Sequence, residues 1–296
     1  MKELFKTKEG LQIKETPIPH CNPNEILIKN KFSILYHNVE KDFLSKSGSI
    51  VKKVLKKREL LNQVIKKTLQ DGPLSTYKLG KAMMSSWHTL GSCTIGEVIK
   101  KGHNVKNYKE GDLVITSGWY YANHAEIICI DQKKIAKLPK NVNLEFACLA
   151  AYGAKIISVL TYLKLKNEKI SILGDNTGSI LLKKILEAKD FKITSLENAN
   201  IIFNPHRKIT EEEIVELNKT KSKLIIFSEK DLNIRDLNIE QETIRLFASE
   251  RKYQKETNKL KLVEELNQKD LEEFFKLTKP EDFINILDRA IELKDL

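Results

Sequence analysis

Residues 169–186 read KISILGDNTGSILLKKIL. Ile170, Ile172 and Leu173 end a short apolar run, residues 174–179 turn the chain, and Ile180, Leu181, Leu182, Ile185 and Leu186 then recur at helical spacing. A glycine between a strand and a helix lets the backbone turn sharply, and the helix presents its unsatisfied N–H groups to an anion. The chemistry this suits is the holding of a dinucleotide's pyrophosphate. Against the G-x-G-x-x-G spacing that does this, Gly174 fills the first position, Asn176 stands at the second and Ser179 at the third, with an additional Gly178. Asn tolerates a positive φ better than most residues, so Asn176 can still adopt the conformation of the missing glycine, and Gly178 restores some backbone freedom. Thr177 and Ser179 carry hydroxyls that can bond phosphate, while Asp175 sets a negative charge beside it. A turn that still holds a dinucleotide and one that has given it up are both open readings.

A second strand, FKITSL, follows the helix, and Glu197 comes directly after it. A carboxylate there would bond the adenine ribose and favour NAD over NADP. Next come ANIIFN, a short loop with Asn204, Pro205, His206 and Arg207, and KLIIF. These runs are short and β-branched, as buried parallel strands are, and they lie close together. The domain they predict, residues 153–252, is a compressed parallel sheet.

The preceding part reads differently. Residues 1–50 alternate apolar and polar positions around a Pro/Asn turn cluster, as hairpins do. Residues 51–87 read as helical, broken at Asp71-Gly72-Pro73, and strand alternation returns in CTIGEVIKKG, DLVITSG and HAEIICI. Residues 145–166 are apolar nearly all round, which predicts a buried helix linking two domains. From Leu260 a charged helical tail places Leu271, Phe274, Phe275 and Leu277 on an inner face. The division expected is 1–152, 153–252 and a helical 253–296 that packs back between the domains.

The chain has 51 basic and 40 acidic residues, for a net charge of +11, but both signs run along its whole length. The densest basic stretch, residues 51–67, carries an apolar stripe and reads as a solvated amphipathic helix, so nucleic acid is not expected as a partner. No run approaches the ~20 apolar residues of a membrane span, and the first residues lack the apolar core of a signal peptide. The expectation is a cytoplasmic protein. Four cysteines (Cys21, Cys93, Cys129, Cys148) have no short-range partner, which argues against disulfides, and Cys129 and Cys148 read as small buried hydrophobes. His124 reads as structural, at the start of a strand.

Three ordered segments carry a resemblance. TPIPHCNPNEILIKN, then Gly96, Val98, Gly102, Val105, Gly111, Asp112 and Val114 within IGEVIKKGHNVKNYKEGDLVI, then HAEI at residues 124–127, resemble the medium-chain dehydrogenase/reductases. The likeness covers residues 1–200 well and the rest poorly. It implies an α/β protein with a GroES-like β-rich N-terminal domain and a compact Rossmann-like domain, moving a hydride between NAD or NADP and a small carbonyl or alcohol substrate. The stretch from LQDGPLSTYKLG to GSCTIGEV is similar to a zinc-independent branch found in bi-domain oxidoreductases, which points faintly to a sugar or sugar nucleotide.

Zinc-dependent relatives hold a metal through Cys and His ligands. Here those places fall at Leu35 or Tyr36 and at Ser92, with His37 and Cys93 only adjacent, so no metal is expected. Something else must then protonate the substrate oxygen. SILYHN is similar to a segment of zinc-free quinone-reductase-like members, which implies Tyr36 as proton donor and His37 as relay. Glu40 aligns with an acidic residue of the sugar-linked branch. The competing reading packs Tyr36 in a strand and leaves His37 at the surface. Relatives commonly pair through an edge strand, so a homodimer is conceivable. The alternative for the whole chain is an inactive dehydrogenase homologue that serves as a binding or assembly partner.

Overall fold

In a computed structural model, the structure describes residues 1–7, 10–34, 88–118, 121–205, 209, 211–217, 219–220, 222–227, 243–245, 266–283 and 290–292. The helical expectation for 51–87 lies outside them.

The first part is antiparallel. β1 (Lys2–Thr7) pairs with β2 (Gly10–Glu15) and with β4 (His88–Thr89). β3 (Glu25–Ile34), β5 (Cys93–Lys101), β6 (Leu113–Ser117) and β8 (Ile135–Lys137) follow one another across a second sheet, and β7 (Ile127–Asp131) pairs with β3. The glycine–valine spacing around β5 has a packing cause. Val98, Val105 and Val114 are buried with Ile26, Ile28, Ala125 and Ile128 in one cluster. Gly102 donates its N–H to Glu25 O, and a Cβ there would lie 2.2 Å from Asn22 O, so only glycine admits the contact.

Asp112 closes the turn before β6. Its carboxylate accepts from Lys109 N (2.9 Å) and lies 2.9 Å from Lys137 Nζ on β8. Burial pulls the carboxyl upward, but the hydrogen bonds and charges of Lys137 and Lys109 outweigh it and hold Asp112 below the ordinary carboxylate range. Stability from this group is fully present above the unfolded value of about 3.9 and is lost as pH falls through the lower folded value. In acid titration followed by circular dichroism, Asp112→Asn should therefore weaken the protein most near neutrality, with the gap to the parent closing as pH falls below the unfolded carboxyl value and through the lower folded one.

α1 (Leu144–Leu163) starts at Asn143, whose side chain accepts from Phe146 N, and ends at Lys164 in the left-handed region, φ 51°. It is the one helix among the described residues long and apolar enough to cross a membrane, and most of it is buried inside the molecule. It packs against β3, β5 and β6 on one side and against two later helices on the other.

The third sheet is parallel, in the order β12 (Thr243–Arg245), β11 (Lys223–Phe227), β10 (Ile201–Pro205), β9 (Ile170–Ile172). α2 (Thr177–Ala188) buries Leu181, Leu182, Ile185 and Leu186. α3 (Glu211–Leu217) covers the other face, where Leu173, Ile202, Leu217 and Leu224 cluster. FKITSL departs from expectation: it forms only a bridge, Ile193 to Ile170, before the chain turns back to β10. The remainder of the C-terminal segment departs too. α4 (Gln268–Leu277) packs on α1, with Leu271 and Phe274 buried and Phe275 and Leu277 partly so. A short 3-10 turn, Pro280–Phe283, follows, and β13 (Ala290–Glu292) is a strand paired with β3 rather than a continued helix. One core joins these parts: Ile95 and Ile115, most of α1, Ile170 and Phe203, and Leu271, Phe274 and Phe283 pack together. The boundary expected at 152/153 thus falls inside α1.

Candidate functional site

Among the described residues the order of the parallel strands reverses once, at β9. Ile193 flanks β9 on one side while β10, β11 and β12 extend from the other. In open parallel sheets the crevice beyond the strand C-termini at such a reversal is where ligands bind. The glycine-containing turn lies there. Leu173 N donates to Phe203 O (2.8 Å), Gly174 then takes φ 76°, and Gly174 and Asp175 are exposed.

Asn176 does not adopt the positive φ that is open to it. At φ −73°, ψ 172° it is the extended N-cap of α2, with its side chain folded inward. Its Oδ1 accepts from Ser179 N (3.1 Å) and its Nδ2 donates to Pro205 O (2.7 Å), so one carboxamide ties the start of α2 to the end of β10. Asn is a preferred N-cap because its oxygen satisfies an orphan helix N–H, and here the amide nitrogen also finds a partner. Ser179 is turned inward as well, donating from Oγ to Leu173 O (2.9 Å). Thr177, Gly178 and Ser179 are all buried. Gly178 is backed by Tyr152 of α1: a Cβ at 178 would lie 2.7 Å from its hydroxyl oxygen and 3.0 Å from Pro205 Cβ. Burial pushes the Tyr152 phenol well above its ordinary range. Sequence reasoning missed Tyr152, although a large aromatic beside Gly153 in the small-residue run Ala150-Ala151-Tyr152-Gly153-Ala154 was the available signal.

Five of the six expected cofactor residues, Gly174 and Asn176 to Ser179, thus come together. Glu197 does not join them. It is exposed in the 3-10 turn Leu196–Asn198, and both flanks of that turn are anchored at the opposite end of β9, Thr194 N to Ile170 O (2.8 Å) and Asn200 N to Lys169 O (2.7 Å). Tyr36, His37 and Glu40 lie outside the described residues.

The remaining candidates serve the core. His124 is buried with Nδ1 2.7 Å from Ser33 Oγ, the structural part expected of it. Cys93 donates to Cys148 O (3.2 Å), and burial pushes its thiol up to about 12, so it does not face a cleft. Cys148 is fully buried as expected. Cys129 departs from its expectation. It is partly exposed, and its thiol lies 3.2 Å from both the Glu25 carboxylate and His20 O, burial and that carboxylate pushing it up to about 12.

No protein-family model and no curated protein matches the chain. Solved structures do. A 2-octenoyl-CoA carboxylase reductase in complex with NADP and 2-octenoyl-CoA superposes with a TM-score of 0.57 at 11% identity, over 96% of this chain and 80% of that one. A mycobacterial protein complexed with NADPH gives 0.56 at 14%, over 84% and 81%. The quinone oxidoreductase of Coxiella burnetii gives 0.52 at 16%, over 95% and 88%. With its antiparallel GroES-like part joined through α1 to a Rossmann-like parallel sheet, the chain has the fold of the medium-chain dehydrogenase/reductases.

Proposed function

We propose that the chain is a dehydrogenase/reductase that holds a nicotinamide dinucleotide across the C-terminal ends of β9 and β10 and acts on a small carbonyl or alcohol. The observation that carries this reading is the turn itself: Gly174 at φ 76°, set at the sheet's reversal and followed by a 12-residue helix that begins at Thr177. Solved proteins of this fold in complex with NADP and NADPH support it. The backbone fits a pyrophosphate, since glycine gives the turn and the helix gives N–H groups and a favourable dipole. The Asn176 side chain is the group in the way. When bound, the nicotinamide supplies or accepts the hydride. In this reading no zinc takes part; Tyr36 donates the proton to the substrate oxygen, His37 relays it and Glu40 supports them. We extend the proposal to a sugar or sugar nucleotide as substrate and to the cytoplasm as compartment. With Glu197 anchored away from the turn, NAD has no advantage over NADP from that carboxylate.

A second reading, an inactive homologue that binds a partner, is favoured by the inward-folded Asn176 and Ser179. Thermal unfolding with and without millimolar NADH and, separately, NADPH divides the two. Coenzyme at ~100 times its Kd should stabilise the fold by ~2.7 kcal/mol. A shift with one coenzyme supports the dehydrogenase; no shift with either supports the homologue.

A further inference from the structure

We propose that Asn176 is an internal substitute for the pyrophosphate, one whose carboxamide must leave the start of α2 before a dinucleotide can enter, so that this single side chain sets the affinity of the site. The inference rests on the dinucleotide reading above.

Three observations carry it. The N–H of Ser179, which an incoming phosphate would need, is already taken by Asn176 Oδ1 at 3.1 Å. The other end of the same carboxamide reaches Pro205 O at 2.7 Å, so the side chain lies across the gap between β9 and β10, the sheet's reversal. Asn176 is only 8% exposed, so this closed arrangement is packed rather than a loose surface contact. The second glycine of the motif exists so that phosphate can approach bare backbone, and at that position this chain carries a side chain with its own oxygen. Chemically, the Asn oxygen offers the helix end the same thing a phosphate oxygen would, at no entropic cost of association. The Pro205 hydrogen bond must be broken as well when it leaves.

The test is calorimetric titration of NADH and NADPH into the full chain and into Asn176→Gly, with thermal melts to confirm folding. Glycine is nearly as good an N-cap as asparagine, so the helix should survive while the carboxamide is gone. Asn176→Ser is a second variant. Serine also caps helices, but its side chain is too short to hold Ser179 N and Pro205 O together. Asn176→Gly should bind coenzyme at least tenfold more tightly than the parent, and Asn176→Ser, which can still cap Ser179 N but cannot reach Pro205 O, should fall between the two. If the parent binds and both variants bind equally or more weakly, Asn176 is a ligand or a bystander and the proposal falls. If neither the parent nor the variants bind either coenzyme, the dinucleotide reading falls and takes the proposal with it.

Discussion

Phe274→Ala should cost the fold about 3–5 kcal/mol, the range seen when a large aromatic side chain is deleted from a packed core. Phe274 is fully buried, stacked on Phe146 at 5.5 Å and 26° and on Phe283 at 6.5 Å, with Phe275 edge-on at 5.6 Å. Its ring also fills the notch left by Gly153: a Cβ there would lie 2.2 Å from Phe274 Cδ2. Three elements therefore meet on one ring, α1 through Phe146 and Gly153, α4 through Phe274 itself, and the following turn through Phe283. An alanine leaves a cavity lined by rigid aromatic edges and by a glycine that cannot fill it. The loss should reach the candidate site too, because Tyr152, which backs the start of α2, is the residue before Gly153. Urea unfolding of Phe274→Ala and Phe274→Leu measures it. Leucine should recover a substantial part of the loss, and a cost below about 1 kcal/mol for alanine would mean that α4 is held on α1 by something other than this ring.

What was legible in the sequence follows from how local each cause is. The glycine–valine spacing of β5 and β6 could be read because its causes, buried Val98, Val105 and Val114 and the close approach at Gly102, are repeated by every chain that packs this way. The strand–turn–helix at 169–186 was legible for the same reason: Gly174, the cap and the apolar face of α2 are local. FKITSL was misread because propensity says nothing of the connection that follows. The chain must reach Ile201 from Thr194, and that leaves no room for the helix and strand that would have extended the sheet on Ile193's side. β13 escaped because it is three residues long and paired to β3, far away in sequence. At Asn176 two local preferences competed, left-handed backbone and helix N-cap. The cap prevailed with the help of Pro205 O, a partner that only the folded sheet supplies. Cys129 is similar: its contact with Glu25 follows from the β3–β7 register and not from its neighbours in sequence.

Gly178→Val should both destabilise the protein and abolish coenzyme-dependent stabilisation, and the two effects have one cause. A Cβ at 178 meets Tyr152 Oη at 2.7 Å, Tyr152 Cε1 at 2.9 Å and Pro205 Cβ at 3.0 Å, so at least one wall of the crevice must move. Overpacking of this kind costs about 1–3 kcal/mol, and valine, with two further methyls and a stiff χ1, belongs at the upper end. Gly178 lies in the first turn of α2, and Pro205 accepts the bond that ties that turn to β10, so pushing them apart opens the helix end and the strand end together. Alanine at 178 separates the parts of the argument. It brings the clash without the branch, and Tyr152→Phe in the same chain removes the atom it meets first. If the hydroxyl is the obstacle, Gly178→Ala with Tyr152→Phe should be more stable than Gly178→Ala alone, by more than Tyr152→Phe changes the parent. A double-mutant cycle on urea midpoints reads that difference directly. Additive single effects would show that α2 and α1 do not meet through this pair, and the turn would then owe its shape to Asn176 and Ser179 alone.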